Sequence, residues 1–216
     1  MIATQKLIEQ VLMLVNEPIP EINTTLLSED TRHLSVTIHD LLGDAVLFVQ
    51  NNKVYGAINP KVYDVPQIAI TDNGDGSGAI VVPADFVNLV ELQLDGWARS
   101  CTRLEPSASP LALAQGNIYT RGGCCKPVCV DGVNNAGERV IDYYSLPKEK
   151  TPAVKKFIYE AVFEPQAGLS CAEGNPLVPA VAYQCTSLLY NVFDRRDAAE
   201  AFMTLALSCC RNGNKE

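Results

Sequence analysis

Residues 80–97 read IVVPADFVNLVELQLDGW, and within them Val90–Asp95 alternate strictly. Val90, Leu92 and Leu94 fall on one face, and Glu91, Gln93 and Asp95 on the other. A period of two is that of a half-buried strand. Asp95-Gly96 is a turn dipeptide, and the strand-like Trp97–Thr102 behind it predicts the return arm of a hairpin. Pro83 and Asp85 stand at the lead-in, where a missing backbone donor costs little. The chain before this stretch reads as helix and loop. The chain after it reads as strands and then helices, so a β unit is held between two helical ends.

On the N-terminal side, residues 3–16 place apolar pairs at Leu7/Ile8, Val11/Leu12 and Leu14/Val15, which is helical spacing. Pro18 and Pro20 are expected to end that helix. Thr25 or Ser28 can cap the next one, with Glu29 and Asp30 favouring its positive end. Its predicted buried stripe is Leu34, Ile38, Leu41, Leu42, Ala45, Val46 and Val49, closed by Asn51-Asn52. From 51 to 78 the pattern weakens. Pro60, Pro66 and the run DNGDGSG (72–78) predict a long surface excursion, with room for a short strand at 67–71. The acidic, glycine-rich run invites a calcium reading. Aligning Gly76 or Gly78 to the fixed glycine of an EF-hand loop puts Val82 or Ala84 where the bidentate glutamate belongs, so a solvated turn is the better reading.

Toward the C-terminus, EPSASP (105–110) reads as a loop, and 117–121, 127–133 and 138–144 read as short strands. Val154–Glu164 reads as the last long strand, with Phe157, Tyr159, Ala161 and Phe163 on one face. Asn175-Pro176 is a helix-start signal. Val178, Val181, Ala182, Cys185, Leu188, Leu189 and Val192 come next as an apolar stripe. After Asp194-Arg195-Arg196-Asp197, a final helix is predicted with Ala198, Ala201, Phe202, Leu205 and Cys209 inward. The expected fold is α+β: a helical bundle from the N- and C-terminal helices carrying an inserted antiparallel β-sandwich or small barrel. The expected parts are N-terminal helices at 1–55, an extended loop at 56–78, the β insertion at 79–165 and the closing helices at 176–216.

Composition narrows the function classes. With 17 basic and 25 acidic residues the net charge is −8, which disfavours a nucleic-acid ligand gripped by its phosphates. No apolar run is long enough to span a bilayer, and MIATQKLIEQ resembles a mature helix more than a signal peptide. Asn23-Thr24-Thr25 is a glycosylation sequon that has no meaning without export. Eight cysteines in a chain of this length, with no zinc-like spacing, read as reduced and mostly buried thiols inside a cell. The C-C-x3-C cluster of Cys124, Cys125 and Cys129 leaves pairing, metal binding and a lowered-pKa thiolate beside Lys126 open, with a plain strand-edge loop preferred.

No catalytic constellation is present. His33 and His39 are six residues apart and do not share a helix face. There is no GxSxG, HExxH or GxGxxG, and no carboxylate pair suited to acid–base work. No catalytic, cofactor-binding or metal-binding residue is assigned, and the chain is not expected to be an enzyme. Trp97, Arg99, Arg121, Arg195 and Arg196 are the candidate interface residues, because Trp and Arg carry disproportionate energy at interfaces.

Taken together, the two N-terminal helices, the V-P-x-D-F-V lead-in to a strand ending L-D-G-W-x-R, the inserted β region and the C-terminal helices broken at D-R-R-D-A-A-E-A-F resemble a bacteriophage head–tail connector. The family meant is the adaptor, or tail-tubular-protein-like, ring protein of short-tailed phages. The resemblance implies a structural protein of the virion, assembled in the bacterial cytoplasm into a ring of twelve beneath the portal. It implies contacts with the portal and with other tail or ring proteins, and DNA passing through the channel without sequence-specific binding. It implies no membrane contact and no cofactor. Another collar, tail-ring or fibre protein, or a β-domain ligand-binding module using Trp97 and the tyrosines, is the alternative.

Overall fold

The alternating stretch lies in a nine-residue strand, but its buried face is not the one that strict alternation selects. In the computed structural model, which describes residues 1–15, 29–64, 68–172 and 174–212, this strand, β4, is Phe86–Leu94. Phe86, Leu89, Leu92 and Leu94 are buried, whereas Val90 is only partly so. The register shifts between Phe86 and Asn88, between Leu89 and Glu91, and between Gln93 and Leu94. Each such irregularity moves the side-chain phase, so the face toward the core changes along the strand. The turn at Asp95-Gly96 forms, with the Trp97 amide donating to the Leu94 carbonyl at 3.1 Å. The expected return arm does not. Only Cys101 comes back, exchanging two 2.8 Å backbone hydrogen bonds with Leu92. The long partner of β4 is instead the antiparallel β8, Val154–Ala161.

The chain divides into two compact units, Met1–Asn59 with Val162–Glu216, and Pro60–Ala161. In the first, α1 (Thr4–Leu14), α2 (Glu29–Asn52), α4 (Leu177–Val192) and α5 (Arg196–Asn212) supply most of the core. Ile38, Leu42, Ala45, Val46 and Val49 of α2 are fully buried, as their spacing predicts, and Asn52 is its last residue. Pro179 sits in the first turn of α4, where its missing N–H would have had no helical partner. The Asn175 side chain accepts from the Leu177 amide at 2.9 Å. Pro18, Pro20, the sequon, the Thr25 and Ser28 caps and Pro66 lie outside the described residues.

The last helix is rotated from expectation. Ala199, Ala206 and Cys210 are buried, while Ala201 and Leu205 are exposed. Small side chains allow a close approach to α4, where the buried Ser187 hydroxyl donates to the Ala199 carbonyl at 2.7 Å. The Phe202 ring then stacks on Tyr190 with centroids 5.6 Å apart. The expected stripe had the helical period but the wrong phase: Ala199, Ala206 and Cys210 are buried, each one position after Ala198, Leu205 and Cys209.

The second unit corrects the expected fold. Its strands form two sheets, a three-stranded one ordered β1-β8-β4 and a five-stranded one ordered β2-β3-β7-β6-β5. The remaining strands are β1 (Pro60–Val62), β2 (Ile70–Asp72), β3 (Gly78–Val81), β5 (Leu104–Pro106), β6 (Cys129–Val133) and β7 (Arg139–Tyr143). The whole is α+β with five described helices and most of the chain non-helical; it is not a bundle carrying a sandwich or barrel. The sheets are not purely antiparallel either, because β5 and β6 pair in parallel. A parallel pair needs a crossover rather than a tight turn. The crossover contains α3 (Pro110–Gln115), in a region read from sequence as loop and strand. The stretch read as an extended loop, 56–78, contributes β1 and β2, and Pro60 pairs with Glu160 of β8. The β unit therefore starts well before residue 79.

Candidate interaction surface

Ser109-Pro110 begins α3 for a local reason: the Ser109 hydroxyl accepts from the Ala112 amide at 3.1 Å, and Pro110 occupies a position that needs no donor. Ala112 packs under the helix against Val128, Val130 and Tyr144. The fully buried Gln115 donates to the Leu111 carbonyl at 3.0 Å, and its oxygen accepts from the Gly122 amide. The chain then turns through 117–121 instead of forming the expected strand. The amides of Thr120 and Arg121 both donate to the Asn117 carbonyl, at 3.0 and 3.2 Å.

This excursion leaves bulky apolar groups in solvent. Leu113 is 69% exposed, Ile118 54% and Tyr119 93%. Leu111 is exposed beside them in sequence. An isolated exposed leucine needs no explanation, but several bulky apolar side chains exposed on one short, tied segment call for one.

Arg121 is what ties it. Its side chain is only 10% exposed, and its guanidinium spans two loops. Nε donates to the Gln115 carbonyl at 2.8 Å, Nη1 to the Asp75 carbonyl at 3.0 Å, and Nη2 to the Asp75 carboxylate at 2.8 Å. The group also lies over the Tyr144 ring, 5.6 Å from its centroid. Asp75 belongs to DNGDGSG, the run weighed as a calcium loop. Hydrogen bonding from the Ser77 hydroxyl, and then from Arg121, holds its carboxyl well below the usual carboxylate range. The cation beside this acidic loop is thus a guanidinium from the chain itself. Among the described residues no three metal-ligating side chains gather.

The other expected interface residues are dispersed. Trp97 is 3% exposed and belongs to the core of the second unit with Leu92, Phe157 and Tyr143. Its indole nitrogen finds no hydrogen-bond partner among the described residues. Arg99 is exposed. In the first unit, Arg195 lines a groove of about 630 Å³ with Leu34, Leu189, Tyr190, Phe193 and His33. Arg196 pairs with Asp194 at 3.3 Å where both side chains are largely solvated, which contributes little. His39 meets the neighbouring Asp40, at 3.4 Å.

The cysteines also differ from expectation. All eight are free thiols, but only Cys101, Cys129, Cys185 and Cys210 are buried, and Cys125 is exposed. Burial pushes Cys185 up to about 12. The lowered thiol is Cys101, outside the C-C-x3-C cluster. A hydrogen bond from Cys129 outweighs burial and brings it to about 7.

Sequence reasoning missed Leu113, Ile118 and Tyr119, although a signal existed. Ser109-Pro110 is a cap followed by a first-turn proline, and Gly116 stops the helix. No described helix is long and apolar enough to cross a membrane. Comparison with protein-family models gives no match, and comparison with curated protein sequences gives none either.

Proposed function

We propose that this protein is a structural component of a bacteriophage virion that works through protein–protein contacts, as a head-to-tail adaptor ring beneath the portal. The observation that carries the reading toward a contact protein is the tied apolar segment. Leu113 on α3, and Ile118 and Tyr119 on the turn after it, stand in solvent on a segment that Arg121 and Gln115 hold in place. A rigid anchor loses little conformational freedom on binding, which is how a small patch becomes an affinity determinant. The groove beside Arg195, lined by Leu189, Tyr190 and Phe193, offers a second apolar surface of the same kind. Two unlike surfaces on one chain suit head-to-tail association, which closes into a ring when the rotation allows.

The charge suits a channel. A ring of twelve repeats the net −8 of each chain, and a negative wall lets DNA slide without holding its phosphates. The phage assignment itself comes from the sequence pattern around Asp95-Gly96-Trp97 and Asp194–Phe202. A carbohydrate-binding module built on Trp97 is disfavoured because that ring is buried.

Mixing the purified chain with the portal of its own phage and imaging the product tests the proposal. Rings of twelve on the tail-side face of the portal are expected. A protein that stays off the portal, or that is missing from purified particles, overturns it.

A further inference from the structure

The two sheets of the second unit approach each other at a pair of thiols. Cys101 is fastened to the three-stranded sheet by its two backbone hydrogen bonds to Leu92 of β4. Cys129 opens β6 of the five-stranded sheet, next to β5, where it pairs with Leu104. Both belong to one buried cluster with Leu92, Trp97 and Ile141. Cys129 is close enough to act on the Cys101 thiol, which it lowers as a hydrogen-bond donor. The Cys101 thiol in turn reaches the Arg103 carbonyl at 3.2 Å. Cys101 also forms part of the wall of a surface cleft of about 200 Å³, with Ser100, Arg103, Glu105 and Leu111. Cys129 is fully buried behind it.

We infer that Cys101 and Cys129 are a redox-active dithiol, open to small disulfides through the Cys101 cleft, whose oxidation covalently staples the two sheets of the β unit. This site is independent of the adaptor reading and holds for any function of the chain.

The chemistry needs a two-electron oxidant, and a low-molecular-weight disulfide such as oxidised glutathione supplies it. The Cys101 thiolate attacks one sulfur of that disulfide; a bond forms between them and one glutathione leaves as a thiolate. The Cys129 sulfur then attacks the Cys101 sulfur. The protein disulfide forms, the second glutathione leaves, and the Cys129 proton passes to a departing thiolate. Two protein thiols are oxidised and one small disulfide is reduced to two thiols.

The order of attack is set by the surroundings of each group. Cys101 faces the cleft and is the more acidic, lowered first by the Cys129 hydrogen bond. Cys129 is pushed up by burial and has no opening of its own, so it acts as the resolving thiol. A cell interior keeps such a pair reduced, and release into an oxidising medium closes it.

The test uses the whole chain, freed of reductant and incubated with oxidised glutathione in excess over reduced. Free thiols are then blocked by alkylation under denaturing conditions, and the peptides are mapped by mass. A linked peptide joining Cys101 to Cys129, lighter by about 2 Da than the two reduced peptides, is expected. Closing that loop raises the melting temperature of the second unit by about 10 °C, read through Trp97 fluorescence with and without reductant. Cys129→Val should trap one glutathione on Cys101, and Cys101→Ala should leave Cys129 unmodified. The inference is overturned if wild-type Cys101 and Cys129 are both recovered alkylated, or if the linked peptides join other cysteines. The wild-type map decides the matter even if either variant fails to fold.

Discussion

Replacing Arg121 by methionine keeps an unbranched stem and removes the guanidinium, with its charge and all three donor nitrogens. The group is only 10% exposed, so water cannot readily replace the lost partners. The Gln115 and Asp75 carbonyls each lose a hydrogen bond, at about 1 kcal/mol apiece. The ion pair with the Asp75 carboxylate adds about 1 kcal/mol, held to that because the Asp75 side chain is 47% exposed. The expected loss is therefore about 3 kcal/mol, or about 8 °C in melting temperature for a chain of this size. Trp97, the single tryptophan, lies in the core of the affected unit, so its fluorescence in a denaturant series reports the change.

An acid titration gives a second reading of the same node. The Asp75 carboxyl is depressed in the folded state from its ordinary 3.8. A depressed carboxyl contributes stability that is present in full above the unfolded value and is lost as pH falls through the folded one. Wild-type protein should thus lose stability below about pH 4 more steeply than Arg121→Met, which retains only the Ser77 part of the depression. A double-mutant cycle with Asp75→Asn should return a coupling of about 1 kcal/mol. A variant within about 1 kcal/mol of wild type in the denaturant series, with an unchanged acid slope, would refute the assignment of Arg121 as the tie between the loops.

Three further outcomes are expected. Gly76→Ala should cost about 3 kcal/mol in a denaturant titration, because its φ is +82° and the added Cβ would lie 2.2 Å from the Leu146 carbonyl oxygen. Gly74→Ala, with φ +77° and open space around the new methyl, should cost only about 1 kcal/mol; equal losses would remove the steric argument. Tyr159→Phe removes the hydroxyl that donates to Asp85 at 2.9 Å. Burial alone would raise Asp85, and Lys61 with Tyr159 outweighs it, so a carboxyl titration by NMR should show the variant moving back up toward the ordinary value. Ile118→Ser with Tyr119→Ser should leave the melting temperature within about 2 °C, since both side chains are exposed, while abolishing assembly on the portal. Unimpaired assembly would detach this segment from the interface.

Elements whose signals are local could be read from the chain alone. The stripe from Val178 to Leu189 had only one helical reading, because its apolar residues recur at the helical period. Asn51-Asn52 marked the end of α2, and the alternation through Phe157, Tyr159 and Ala161 marked β8. The missed α3 was legible too, through Ser109-Pro110 and Gly116. Partners were not legible, because pairing is a long-range choice that a local period does not encode. Three-dimensional packing set β4 against β8, shifted its buried face through irregular register, and laid β5 parallel to β6. It set α5 on Ala199, Ala206 and Cys210, each one position along from the expected face, where small side chains allow close packing. Charge obeys the same rule. Arg121 looked like a surface anchor until the fold brought Asp75 to it across 46 residues, and Cys101 looked ordinary until Cys129 stood against it.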